Sequence, residues 1–547
     1  MSTTVLDGKA IRNMLIGGAE YIKTNSATIN DLNVFPVPDG DTGTNMTKTI
    51  EGGLAHVINE DVTGVSAVMD KFAEGLLLGA RGNSGVILSQ IFAGIKDGLS
   101  GCDTVDATEL SNAYKSGIAK SYAAVSNPTE GTILTVFRES TEYAAKNIKK
   151  SSSIEEFYKL HIEEAKRSLA RTKELLPVLA EADVVDSGGA GYLSIAMGMY
   201  SALTGEYNAE AYNFSESTQT VSLDFSRFTR DSELKYGYCT EFLLRLTTAK
   251  CNPDTFSSDT LVRELTELGG QSIVAYKDTD IVKVHVHTMQ PGMALATGQK
   301  YGEFLTVKIE NMELEHSDPE KTKPKKHKKF ATVAVASGDG ICALFTAMGA
   351  DAIVSGGQTD NPSTEEFIEA FDEVNADAVI VMPNNKNVFL AANQAAELYK
   401  NSKVYIVPTQ SLMEGYGALS VITAGVDNVE SLVESATRAA KGVLGGEVTR
   451  AVRDVTLDDK HIEKGDYISI AGGHIASVGQ TRNEALLGML DTIDMDEYEI
   501  ITLFVGAEVD DDARVEITEL LEEKYPDCEI IVHIGGQELY DYFVAIE

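Results

Sequence analysis

No stretch of this sequence stays apolar over the roughly 20 residues that a membrane-spanning helix takes. Its first residues, MSTTVLDGKAIRNM, have no basic run followed by an apolar one, so no secretion signal is expected. Cysteine is scarce. Cys102, Cys239, Cys251, Cys342 and Cys528 are scattered and odd in number, which argues against a disulfide framework and fits a reducing cytoplasm. Basic residues are outnumbered, with 46 Lys and Arg against 83 Asp and Glu and a net charge of −37. A surface this acidic repels nucleic acid and anionic lipid. It also repels nucleotide phosphates, so a nucleotide site in this chain calls for a local cation, and a bound metal meets that need better than a lysine cluster. The remaining composition is ordinary for a globular protein, 43% hydrophobic and 24% charged, over 547 residues, a length too great for one core.

The hydrophobic pattern divides the chain. Residues 1–205 read as helix after helix: Ile11, Met14, Leu15 and Ile22 fall at helical spacing, as do Val65, Val68, Met69, Phe72 and Leu76, and Leu110, Tyr114, Ile118, Tyr122 and Val125. The breaks between them are rich in Gly, Asp and Asn, which puts the chemistry of an all-α bundle in its inter-helix loops. Residues 206–316 begin with a polar, aperiodic stretch. Alternating β-branched runs at 238–248 and 272–288 follow, with a helical stretch between them, which predicts a small α+β domain. Residues 317–330 form a linker in which SDPEKTKPKKHKK carries six lysines and two prolines. From 331 to 547 short apolar strands alternate with helices. This predicts a parallel α/β sheet over ATVAVAS, DAIVS, DAVIVMP and KVYIVP, then a second α/β lobe.

The strongest local signal is LNVFPVPDGDTGTNM at 32–46. Pro36 and Pro38 hold the chain extended. In an extended segment Asp39 and Asp41, two apart, turn both carboxylates to one side. Gly40 and Gly43 permit a tight turn, and Thr42 or Thr44 is placed to cap a helix that begins near Asn45. Two hard anionic oxygens beside a helix N-terminus suit magnesium, with the free amides left for phosphate. Alone, the same residues read more readily as a surface turn. Two further loops shift the balance. GARGNSGVILSQIFAG places Gly82, Asn83, Ser84 and Gly85 just before an apolar helix, and DVVDSGGAGY places Asp186, Ser187 and Gly188 before another. EGTILTVFRE adds Thr132 near a fourth helix start. Three polar glycine loops, each opening a helix in one all-α region, are hard to explain as bland turns.

At these residues the N-terminal region resembles the L-subunit nucleotide-binding domain of dihydroxyacetone kinases, also called DhaL or DAK2. That resemblance implies an antiparallel helix barrel that binds ATP through magnesium held by aspartates. Asp39 and Asp41 match the Asp-Gly-Asp loop and would hold the metal. Thr42 and Asn45 would lie at the nucleotide, Gly82-Asn83-Ser84-Gly85 would take phosphate, and Thr132 and Asp186-Ser187-Gly188 would lie near the nucleoside. The chain departs from the pattern at Thr42, where the family commonly has His, and at Val34, where it has a third aspartate. Asn33 is the nearest polar residue to that missing ligand. The whole chain, through YGYCTEF, VHVHT and PNNKN, is similar to the FakA-like family of bacterial fatty acid kinases. This implies a DegV-related C-terminal region that forms a homodimer and meets a separate fatty-acid-binding B subunit. It also implies an activity that converts a fatty acid to an acyl phosphate. The middle region would hold zinc on Cys239, His285 and His287. From spacing alone that trio reads more readily as one solvated strand face and a packed cysteine.

Ser337-Gly338-Asp339-Gly340 also follows a strand and opens a helix, but it lacks a Walker lysine. Asn384, Asn385 and Asn387 stand at the carboxyl end of a strand, where α/β ligands bind; they read either as a helix cap or, by resemblance, as a face toward the partner. His474 is expected to be structural and without a partner. Two rival functions keep the same residues. A small-polyol kinase would act on a free substrate. A nucleotide- and zinc-binding scaffold would bind ATP without turnover.

Overall fold

The computed structural model describes residues 3–32, 40–58, 63–125, 127–206, 238–248, 250–253, 255–269, 271–278, 281–311, 327–357, 360–422 and 428–547. They fall into two compact units. One joins Met1–Asn213 with His327–Glu547, and the other is Phe214–Lys326.

The N-terminal part of the first unit is helical: α1 Gly8–Asn30, α2 Thr42–Ala55, α3 Val65–Leu78, α4 Gly82–Gly98, α5 Ala107–Ala123, α6 Ile133–Asn147, α7 Ile154–Leu175, α8 Pro177–Glu181 and α9 Ser187–Thr204. The short strands Val5–Leu6 and Val105–Asp106 pair beside them. Capping follows the local sequence in several places. Asp7 accepts from the Ala10 amide at the start of α1, and Asp106 with Glu109 forms a reciprocal capping box on α5. The apolar positions at helical spacing form one core: Ile11, Met14, Leu15, Ile22, Val68, Phe72, Leu76, Leu110 and Tyr114 are all buried. The α1 and α9 backbones approach closely because both carry glycine at the crossing. A Cβ on Gly198 would lie 2.1 Å from the Gly17 carbonyl oxygen. The interior is closed by aromatic rings. Phe157 stacks on His161 with centroids 5.8 Å apart, and the Tyr192 hydroxyl lies 2.7 Å from His161 Nε2. Burial without a charged partner pushes the His161 pKa down to about 3, so this ring packs as a neutral group.

The C-terminal part of the first unit carries two sheets. The parallel one orders its strands Lys403–Ile406, Ala378–Met382, Ala331–Ala336, Ala352–Ser355, with helices between consecutive strands as the alternation predicts. The second is six-stranded, ordered His474–Gly479, Tyr467–Ala471, Leu444–Arg450, Tyr542–Ile546, Ile500–Val505, Glu529–Ile534, and is parallel only between the last two. Ala80 and Val86, from the loop before α4 and its first turn, belong to the same buried cluster as Val333, Phe367, Val381 and Ala391 of the parallel sheet and its helices. The helical region and the parallel lobe therefore share a core.

Of the linker expected at 317–330, residues 327–330 lie among the described residues, and these rest on the parallel lobe. Lys328 bridges to Ala376 and its amine pairs with Asp351, while His327 Nε2 lies 2.8 Å from Asp377, so acidic side chains draw the end of the run onto the sheet. His474 is not without a partner, since its Nδ1 lies 3.1 Å from Asp458.

The second unit is a four-stranded antiparallel sheet ordered Gln271–Asp278, Ile281–Thr288, Tyr238–Leu246, Gly302–Asn311, with helices Ser258–Glu267 and Pro291–Gln299. The alternating run at 272–288 resolves into two strands of this sheet. Phe242, Leu244, Val282, Val284, Val286, Leu261 and Leu265 form its core.

Candidate functional site

Each of the three glycine loops opens a helix, and the helix starts meet. Thr42 is the first residue of α2 and Ser187 the first of α9, and their hydroxyl oxygens are 3.1 Å apart. Gly82 opens α4 with φ +59°, and a Cβ there would lie 2.6 Å from Asn45 Nδ2 in the first turn of α2. Thr49, one turn further along α2, accepts the Arg81 amide at 3.2 Å and fixes the approach to α4. Asp186 caps α9 through the Gly189 amide at 2.6 Å and also accepts from the Ile133 amide at the start of α6, beside Thr132. Desolvation lifts its carboxyl to about 6, and those two amides oppose the rise.

The start of α2 differs from expectation. The helix begins at Thr42 rather than near Asn45, and Asp41 stands at the N-cap without making a side-chain cap bond. The cap comes from another helix. Asn30, at the end of α1, accepts the Gly43 and Thr44 amides at 2.7 and 3.2 Å and donates to Thr44 Oγ1 at 2.9 Å. That leaves Asp41 a buried carboxylate, 8% exposed, held by the side-chain amide of Asn361 from the C-terminal region. Among the described residues the Asn83 and Ser84 amides at the head of α4, and those of Ser187 and Gly188 at the head of α9, have no protein acceptor. Positive helix ends, open amides and a buried carboxylate in one place suit a metal-bound anion such as a polyphosphate. Two buried acceptors, Asn83 Oδ1 and Asn361 Oδ1, lack partners among the described residues, so the donor set fits a hydrated magnesium ion with its phosphates. Asp39 and Asn33 lie outside the described residues.

In the Asn384-Asn385-Lys386-Asn387 loop, Lys386 is exposed while its neighbours turn inward. Asn384 and Asn385 are buried, Asn384 donates to the Val335 carbonyl at 2.8 Å, and Asn387 Oδ1 lies 3.5 Å from Asn83 Nδ2 at the head of α4. The loop closes on the helical region of its own chain.

A cavity of about 640 Å³ in the six-stranded lobe is lined by Arg450, Lys464, Tyr467, Arg482, Glu508 and Asp541, among others. Its arginines are already engaged. Arg482 lies 3.2 Å from Asp541, Arg450 donates to the Gly465 carbonyl at 3.0 Å, and both guanidinium groups sit over the Tyr467 ring.

In the second unit the strand register places Cys239 opposite His287, and His285 opposite Glu241. The side chains of Cys239, His285 and His287 lie outside the described residues.

A DAK2 domain model matches residues 36–201, so the helical region is of a kinase class. Models for the middle domain and the C-terminal domain of FakA-like proteins, the A component of fatty acid kinase, match 235–319 and 331–547. Protein YloV of Bacillus subtilis strain 168 is 36% identical over 559 residues, covering 100% of each chain. An uncharacterised protein of Staphylococcus haemolyticus is 36% identical over 99% of each. The chain belongs to the FakA-like fatty acid kinase family. Among solved structures, the Streptococcus pneumoniae fatty acid kinase B3 protein loaded with linoleic acid aligns with 40% of this chain and 99% of its own at 11% identity. Its TM-score of 0.27 is too low to bear on the fold. No helix among the described residues is long and apolar enough to cross a membrane.

Proposed function

We propose that this chain is the kinase subunit of a cytoplasmic fatty acid kinase. It transfers the γ-phosphoryl group of ATP to the carboxylate of a fatty acid presented by a separate DegV-family B subunit, giving an acyl phosphate and ADP. The observation that carries this reading is the convergence of the α2, α4 and α9 starts around the buried Asp41 carboxylate.

On this reading residues 1–205 form a DhaL-like helix barrel, 206–316 a zinc-bearing middle domain, and 331–547 a DegV-like region that binds the partner and forms a homodimer, with 317–330 as the linker. Asp39 and Asp41 would hold magnesium, with Asn33 nearest the place of a third ligand. When bound, the ion neutralises charge on the phosphates during transfer. The α4 amides at Asn83 and Ser84, with Gly82 and Gly85 keeping the backbone close, orient the polyphosphate. Thr42, Asn45, Thr132, Ser187 and Gly188 line the nucleotide, and Asp186 fixes the α6 and α9 starts against each other. The acceptor carboxylate is already ionised at neutral pH, so the site needs no general base. This agrees with His161 being buried and neutral in the core. Cys239, His285 and His287 would hold zinc.

The test is an ATP-consumption assay of the full chain with a fatty-acid-binding protein recovered from cytosol and a long-chain fatty acid. The proposal requires turnover only when both are present. Turnover with dihydroxyacetone or another free polyol, and none with the fatty acid, would replace it with the polyol-kinase reading. Nucleotide binding with no turnover under any of these conditions would leave a scaffold.

A further inference from the structure

The nucleotide site described above lies at a junction within the first unit. The segment 360–366 of the C-terminal region runs along the loop before α4. The Thr364 amide donates to the Ala80 carbonyl at 3.2 Å, and Arg81 Nη1 reaches both the Asn361 carbonyl and Glu366 Oε2 at 2.9 Å. At the rim Lys48 pairs with Asp360 at 2.8 Å. These contacts bring Asn361 inward until it is 0% exposed. Its side-chain amide donates to Asp41 Oδ2, and a Cβ on Gly82 would lie 3.5 Å from that same Nδ2. Asn361 therefore binds the carboxylate and stands beside the α4 glycine turn.

The amide orientation follows from its partner. Turning it over would set Asn361 Oδ1 against Asp41 Oδ2, two acceptors facing each other with no proton between them. In the orientation observed, Oδ1 is buried and has no partner among the described residues. A buried carbonyl oxygen left without a donor is costly, by about 1–3 kcal/mol, unless something in the working site satisfies it. A hydrated divalent cation presents O–H donors of the required kind.

We propose that Asn361 is a positioning residue for the nucleotide site. Its amide fixes the rotamer of Asp41, its carbonyl oxygen is left for a ligand of hydrated-cation chemistry, and the C-terminal region thereby completes a site whose other groups all come from the helices. The inference rests on the metal–nucleotide reading of the Asp41 site. It adds that metal–nucleotide affinity depends on a residue of the lobe that packs against α4. Phosphoryl transfer is then coupled to the seating of that lobe on the helical region.

The experiment uses the full chain, Mn²⁺ and a non-hydrolysable ATP analogue, with affinity read by calorimetry and docking read by hydrogen exchange at the Thr364 amide. Removing a group that orients a metal ligand costs roughly 10–100-fold in affinity. Asn361→Ala is expected to lose affinity by that factor while the Thr364 amide stays protected. Asp360→Ala, which breaks the exposed ion pair of the same junction, is expected to change affinity less than about twofold, as surface pairs do. Unchanged affinity in Asn361→Ala overturns the proposal. So does a loss that occurs only together with Thr364 deprotection and is matched by Asp360→Ala, because docking alone would then explain it. If the unaltered chain binds no Mn²⁺–nucleotide at all, the kinase reading fails first, and that result is distinct from both.

Discussion

Two glycine-rich turns in this chain follow the same local rule and meet opposite fates. Ser337-Gly338-Asp339-Gly340 and Gly82-Asn83-Ser84-Gly85 each open a helix. At the first, glycine is spent on backbone contact with the neighbouring lobe. A Cβ on Gly340 would lie 1.8 Å from the Ile534 carbonyl oxygen, one on Gly338 would lie 2.6 Å from that of Gly535, and the Ile341 amide already donates to Gly535 at 3.1 Å. At the second, the atoms nearest a Cβ on Gly82 belong to asparagine side chains, and the amides that follow have no protein acceptor among the described residues. One turn is a joint between lobes and the other is an open cradle. Loop composition does not separate them; what packs against the missing Cβ does.

The comparison can be broken or sharpened by substitution. The largest effect is expected on turnover from Asp41→Ala. If Asp41 holds a metal that contributes several kcal/mol to transfer, ATP turnover falls roughly 1,000-fold while the far-ultraviolet circular dichroism stays that of the folded chain. Retained turnover would remove Asp41 from the site. Gly340→Ala should act on stability instead. Its Cβ would overlap a backbone oxygen that cannot move aside, and a loss of about 4 kcal/mol or more, seen as a lowered denaturation midpoint, is the expected outcome.

Asp186 gives a smaller, pH-dependent effect. Its folded-state pKa is raised from 3.8 to about 6, so the carboxyl favours the fold fully below 3.8, and that advantage is lost as pH rises through about 6. Full conversion of that rise gives about 3 kcal/mol, which the partial solvent contact of Asp186 trims to about 2 kcal/mol. Asn caps a helix as well as Asp. Asp186→Asn is therefore expected to be more stable than the unaltered chain at pH 7.5 and equal to it near pH 4, in urea denaturation at both values. An equal difference at both would contradict the buried-carboxylate account. The smallest effect on stability belongs to Gly82→Ala. A left-handed backbone costs an alanine about 1 kcal/mol, and the clash at Asn45 falls on a side chain that can shift. Its main consequence is expected in nucleotide affinity, the reverse of Gly340→Ala.

Much of this is legible in the residues themselves. Helical spacing locates the core of α1, α3 and α5, and each polar glycine loop does open a helix, because glycine turns and apolar periodicity are local signals. Alternation of short apolar runs with helices reveals the parallel sheet for the same reason. What escapes is tertiary. Local spacing puts the α2 start three residues late because its cap is Asn30, a side chain of α1, while the Asp41 side chain makes no cap bond. Asn361 gives no signal either, since it meets Asp41 across 320 residues of sequence and stands in a stretch that reads as an ordinary loop. The polar loop at 384–387 reads as a surface because it is rich in Asn, yet Asn384 is buried and donates its side-chain N–H to the Val335 carbonyl, and Asn385 is buried beside it. Capping and burial by distant side chains obey the same chemistry as local ones, but no spacing rule announces them.

The most direct measurement is a crystal structure of the full chain with magnesium and a non-hydrolysable ATP analogue. The account predicts triphosphate density among the first turns of α2, α4 and α9, with the ion against Asp41. Density at the Ser337–Gly340 turn or in the arginine-lined cavity of the six-stranded lobe, with that junction empty, would contradict it.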